Sequence, residues 1–210
     1  MSRNSSRPTE KIYCIGDSHV SFFSGTNQIQ PLWPKSGGDV ISIFKTFRLG
    51  AVLAYNLCEY GTSWKGRELL SILLDRRIAE EERIIPAESQ ILLCFGEIDC
   101  RAHLLRQQQS QNRPISTVVE ECVDRYLSVI KESKELGYRV IIWNVIPSTR
   151  SEKIANKEFP VFGTCAERNQ VTRAFNKSLQ EKCEAESIAF ISIFDALIGM
   201  AAQPAGLHGK

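Results

Sequence analysis

Asp17, Ser18 and His19 stand side by side directly after Gly16: an acid, a hydroxyl and an imidazole in a row. A hydroxyl becomes a nucleophile when a base takes its proton and N–H donors receive the charge that builds on the attacked carbonyl. Gly16-Asp17-Ser18 is also ordinary turn and helix-cap material, because Gly, Asp and Ser favour both. A second polar group, Gly96-Glu97-Ile98-Asp99-Cys100-Arg101 with His103 just beyond, offers carboxylates, a guanidinium and an imidazole. At Leu49-Gly50 a glycine lets a backbone N–H approach a ligand closely. The chain holds 3 His. His19 follows the serine and reads as structural or substrate-facing. His103 is a pocket residue or a plain surface one. His208 is close to the end of the sequence. A metal site needs convergent ligands. Asp17, Glu97 and Asp99 are better suited to binding loop backbone, so neither a metal nor a cofactor is expected.

The elements that would position these groups alternate in type. Lys11 to Ile15 is a short apolar run that reads as a buried strand ending at Gly16. Ser24 to Gly38 is rich in Gly, Pro, Asn and Gln, and reads as a long loop over the active face. Asp39 to Phe47 reads as a weak second strand. Gly50 is expected to open a helix over Ala51 to Glu59, ended at Gly61. Arg67 to Arg83 has helical apolar spacing. Gln90 to Phe95 is a second continuous apolar run and ends at Gly96. Thr117-x-x-Glu120 and Thr164-x-x-Glu167 each read as a capping box opening a helix. Gln107 to Gln111 reads as a loop or helix end. Arg139 to Val145 and Ile188 to Phe194 complete the strands. Strands and helices alternate, and three strands are apolar end to end, which implies a parallel sheet covered on both faces. Right-handed crossovers then give a doubly wound three-layer sandwich. In such sheets chemistry gathers beyond the carboxyl ends of the strands.

Composition narrows the classes. A chain of 210 residues suits one domain, here 11–210 after a disordered tail at 1–10. A formal net charge of +2 gives no basic excess calling for nucleic acid. No apolar run is long enough to span a bilayer, and residues 1–10 lack the apolar region of a secretory signal. The 7 Cys include no C-x-x-C pair and read as reduced thiols of a cytoplasmic protein. Trp33 and Trp64 are candidates to line a sugar or acyl site by stacking, or to pack.

Gly16-Asp17-Ser18, Gly50, and Gly96 with Asp99 together resemble the SGNH hydrolases, the GDSL esterases and lipases. The resemblance spans nearly the whole chain, though only the first block is a specific motif. It implies a flavodoxin-like α/β/α sandwich. It also implies Ser18 as nucleophile and an oxyanion hole formed by the N–H groups of Ser18 and Gly50. Two departures stand out. The family's third-block asparagine is replaced by Ile98, which leaves Arg101 as the side chain able to donate to an oxyanion. The late D-x-x-H block is reduced to His208, with Ala205 in the aspartate position, so the triad becomes a Ser18–His208 dyad. Asp17, His19, Glu97, Asp99 and His103 are the remaining pocket candidates. The expected substrate is a small-molecule or carbohydrate ester with a short acyl group, such as O-acetyl on a sugar. The alternative is a catalytically impaired domain of the same fold that binds a carbohydrate or a protein. An unrelated flavodoxin-like domain holding phosphate or flavin would call for a Gly-rich phosphate loop, which the sequence lacks.

Overall fold

Five short strands form a single parallel sheet in this computed structural model, which describes residues 10–35, 37–149 and 160–202. The strands are β1 (Ile12–Gly16), β2 (Phe44–Arg48), β3 (Gln90–Cys94), β4 (Arg139–Trp143) and β5 (Ala189–Ile191). Their spatial order is β2-β1-β3-β4-β5. The helices are α1 (Gly66–Leu73), α2 (Leu104–Gln111), α3 (Ile115–Glu135), α4 (Cys165–Ala185) and α5 (Phe194–Ala202). This is the expected α/β/α sandwich of flavodoxin-like topology.

Successive strand residues point to opposite faces. Ile15, Ile91, Leu93 and Ile142 enter the larger core with Leu70 and Leu73 of α1, Val119, Val123 and Tyr126 of α3, and Phe175 and Leu179 of α4. Cys14, Leu92 and Cys94 point the other way, into a smaller core with Val20 and Phe23. Those two residues belong to a 3₁₀ helix, Ser18–Ser24, which follows β1 directly and covers this second face.

In a sheet of this order the chain turns in opposite directions from β1 and β3, which opens a crevice at their carboxyl ends. The register aligns β1 with its two neighbours, β2 and β3, there. Gly16 pairs with Arg48 of β2 and with Cys94 of β3. The Asp17-Ser18, Leu49-Gly50 and Phe95-Gly96 turns therefore leave the sheet at one level.

Several elements differ from the sequence reading. The second strand is confined to Phe44–Arg48, because the Asp39 carboxylate binds the Thr46 hydroxyl (2.5 Å) and amide (3.3 Å) and holds residues 39–43 as a loop. Residues 51–59 form turns instead of a helix, since the Ala54 and Tyr55 amides donate to the Asp99 carboxylate. α1 stops at Leu73, and beyond it Arg83 donates to the carbonyls of Arg76 and Ile78. Thr117 does not open its helix. α3 starts at Ile115 with Pro114 as N-cap, and Glu120 is drawn away to Ser178 and Lys182 of α4. The capping box at Thr164 and Glu167 is present, with both reciprocal bonds formed. Gln107 to Gln111 forms the end of α2, one of the two readings expected for it, and the last strand is cut to three residues, with α5 following it. All seven cysteines are free thiols. Among the described residues no helix is long and apolar enough to cross a membrane. Residues 1–9 of the expected tail lie outside the described residues.

Candidate active site

The serine turn is built by close approach of two strands. The Asp17 amide donates to the Cys94 carbonyl of β3 (3.2 Å). A Cβ on Gly16 would sit 2.3 Å from that same carbonyl oxygen, so only glycine fits. Asp17 is the N-cap of the 3₁₀ helix, its Oδ1 accepting from the His19 amide (2.8 Å). The cap fixes Ser18 in the first helical turn, half-buried at the crevice. Ser18 and His19 line an open cavity of about 590 Å³ with Phe22, Thr26, Gln28 and Ile29. Phe22 (60% exposed) and Ile29 (65%) give this cavity an apolar rim. Ile29 lies in the expected loop over the active face, Ser24 to Gly38, whereas Phe22 lies in the 3₁₀ helix before it; the sequence motifs assign neither to the site.

Gly50 lies beside this turn, because the Leu49 amide donates to the Gly16 carbonyl (2.9 Å). Its φ of +108° and the Trp64 ring, 2.4 Å from where a Cβ would be, both require glycine.

The third group is used differently from the expectation. Asp99 is fully buried and accepts from the Ala54 (2.7 Å) and Tyr55 (3.2 Å) amides, with the Cys122 thiol at 3.6 Å. It supports the loop after Gly50 and faces no pocket. Burial raises its pKa, and the two amides oppose that shift. Ile98 is buried too and supplies no polar atom to the crevice. Glu97 and Arg101 form a largely buried ion pair (2.7 Å). His103 lies beside the Tyr55 ring, 5.4 Å between centroids, in a separate cavity with Gln107, Arg113 and Glu121. It does not join Ser18. His208 and Ala205 lie outside the described residues. Among the described residues no group hydrogen-bonds the Ser18 hydroxyl.

Asp17 is buried, and its Oδ2 has no hydrogen-bond partner among the described residues. It is a cap beneath the turn and not a pocket wall. Burial pushes its carboxyl up to about 6, with His19 pulling down and Glu97 and Asp99 adding to the rise. The folded protein therefore binds this proton more tightly than the unfolded chain. The stability it confers is full below the ordinary aspartate value of 3.8 and is lost as pH rises through about 6. Two pKa units correspond to roughly 3 kcal/mol. Asp17→Asn keeps an acceptor for the His19 amide and removes the charge. Urea unfolding is expected to show the variant gaining roughly 2–3 kcal/mol on the wild type between pH 4 and pH 8. An unchanged difference between the two pH values would mean that Asp17 does not titrate there.

No family model matches the sequence, and no curated protein matches it. Solved structures do. Phospholipase A1 from Streptomyces albidoflavus is 13% identical over 91% of this chain and 83% of its own, with a TM-score of 0.50. A catalytic mutant of Axe2, an acetylxylan esterase from Geobacillus stearothermophilus, is 13% identical over 93% of this chain and 81% of its own, at 0.51. Another mutant of Axe2, named an acetyl-xylooligosaccharide esterase, has the same identity and coverage at 0.52. At this identity the likeness is one of fold, and the chain carries the fold that the resemblance to the SGNH/GDSL hydrolases implied.

Proposed function

We propose that the chain is an SGNH-type serine hydrolase that cleaves short-chain acyl esters, including O-acetyl on carbohydrate, through an acyl-enzyme on Ser18. The observation that carries this reading is the placement of Ser18 at the sheet's switch point, on the wall of the 590 Å³ cavity and beside Gly50. In this mechanism Ser18 Oγ attacks the acyl carbon and His208 takes its proton. The tetrahedral oxyanion is held by the Ser18 and Gly50 amides. His208 then returns the proton to the leaving alcohol, and water releases the acyl group. Arg101, held by its ion pair with Glu97, is the side chain assigned to assist the oxyanion. We assign the protein to the cytoplasm from its unpaired thiols.

A second reading is a domain that binds a carbohydrate or a protein without turnover. Buried Ile98 favours it, because the family's asparagine donor is missing there, as is the aspartate at Ala205.

Labelling of the purified protein by a fluorophosphonate probe, together with p-nitrophenyl acetate turnover, separates the two. The hydrolase reading expects labelling that falls by about 10-fold or more in His208→Ala, since the base activates the nucleophile. Labelling unaffected by His208→Ala removes His208 from the mechanism. No labelling of the wild type leaves the binding domain.

A further inference from the structure

A further hollow adjoins Gly50, whose backbone lies against the Trp64 ring. It holds about 240 Å³ and is lined by Val52, Asn56, Thr62, Ser63 and Trp64, among others, none of them charged. The Asn56 side-chain amide and the Thr62 and Ser63 hydroxyls have no hydrogen-bond partner among the described residues. The half-buried Trp64 ring packs against the Gly50 backbone and presents an aromatic wall. We propose that this hollow binds a neutral sugar ring, the alcohol half of the ester attacked at Ser18, an assignment that rests on the hydrolase reading above.

The chemistry favours a sugar over other ligands. An aromatic face beside unpaired amide and hydroxyl groups matches a ring with C–H faces and hydroxyl edges. An anionic ligand would call for a basic side chain, and the lining has none. The volume is below that of a drug-sized pocket and suits a single ring. The walls are fixed in advance. Asp99 holds the Ala54 and Tyr55 amides, the Lys65 amide closes a turn on the Thr62 carbonyl (2.9 Å), and Gly66 packs on Val52. Gly50 links the hollow to the serine turn: the Trp64 ring packs on it, and the neighbouring Leu49 amide donates to the Gly16 carbonyl. A sugar here would direct its acyl group across Gly50 to the serine and toward the apolar rim of Phe22 and Ile29.

The test needs no turnover. The protein would be titrated separately with xylotriose, cellotriose, mannotriose and N,N′,N″-triacetylchitotriose, following the three indole N–H resonances by NMR. The expected result is saturable movement of the Trp64 resonance with at least one of them. Affinity should drop by roughly 10-fold or more in Trp64→Ala, be largely kept in Trp64→Phe, and be unchanged in Trp33→Phe. Thermal melts check that each variant is folded. No movement of Trp64 with any of the four sugars overturns the assignment, as does unchanged affinity in a folded Trp64→Ala. Failure here with Ser18 still labelled removes only the sugar site. Sugar binding at Trp64 in a protein that no fluorophosphonate labels overturns the hydrolase reading, and with it the leaving-group role.

Discussion

Ser18→Ala is expected to lose fluorophosphonate labelling completely and to lower kcat/KM for p-nitrophenyl acetate by roughly 10³-fold or more. The expected size follows from what the hydroxyl does. In the proposed mechanism it supplies the atom that forms the acyl-enzyme, and no other hydroxyl or thiol lines its cavity apart from Ser21 and Thr26. Ser21 Oγ is engaged by the Gln30 amide (2.9 Å) and Thr26 Oγ1 by the Gln30 side chain (3.0 Å), so neither substitutes readily. The structural cost of the change is small. Ser18 Oγ makes no hydrogen bond among the described residues, and the turn is held by Asp17 and Gly16. The melting temperature should therefore stay within a few degrees of the wild type, so a loss of rate reports chemistry and not unfolding. The amides of Ser18 and Gly50 survive the substitution, and a residual rate above the uncatalysed reaction is expected from them. A variant that hydrolyses the ester at the wild-type rate would place the activity elsewhere and remove Ser18 from the mechanism.

The largest stability effect is expected at Arg168. This arginine is fully buried on α4 and donates to the Ser148 hydroxyl (2.7 Å), the Gly163 carbonyl (2.6 Å) and the Thr149 carbonyl (3.0 Å). It thus joins the segment leaving β4 to the turn that opens α4, across the interval 150–159. Asn169 adds a bond from the Ser148 amide (2.7 Å). Arg168→Ala leaves a cavity and strands up to three acceptors, a combination that costs about 3–5 kcal/mol. Arg168→Met fills the volume without restoring the donors and should recover only part of that loss. Equilibrium unfolding in urea measures both. A loss below about 1 kcal/mol in the alanine variant would mean that water takes over all three acceptors.

The turns of the crevice are connected through one buried carboxylate, which has a consequence for the site. Asp99 follows β3 in sequence but grips the loop that follows β2. The Gly50 amide and the Trp64 hollow are therefore positioned from the β3 side of the sheet. A residue that resembles a pocket acid in sequence is, in the fold, the support of both the proposed oxyanion donor and the proposed sugar site.

Sequence alone determined the parts of this protein that depend on neighbours a few residues away. The apolar runs at 12–15, 90–95 and 139–143 specify strands because strand pairing needs only length and β-branched or large apolar side chains. The glycine, acid and serine at 16–18 specify a turn at a strand end, and Thr164 with Glu167 specifies a helix start, because each motif closes its own hydrogen bonds. Tertiary structure decided what depends on partners far along the chain. Residues 51–59 carry a helical pattern, yet their amides go to Asp99, some 45 positions away. Thr117 and Glu120 have capping-box spacing, but Pro114 starts the helix earlier and Lys182 and Ser178 claim the glutamate. His103 and Asp99 follow the same strand as Glu97, yet the winding of the segment after β3 turns one into a separate cavity and the other into the core. Sequence spacing records periodicity and local bonding, whereas the assignment of a buried carboxylate or an aromatic wall follows from which strand ends the sheet order brings together.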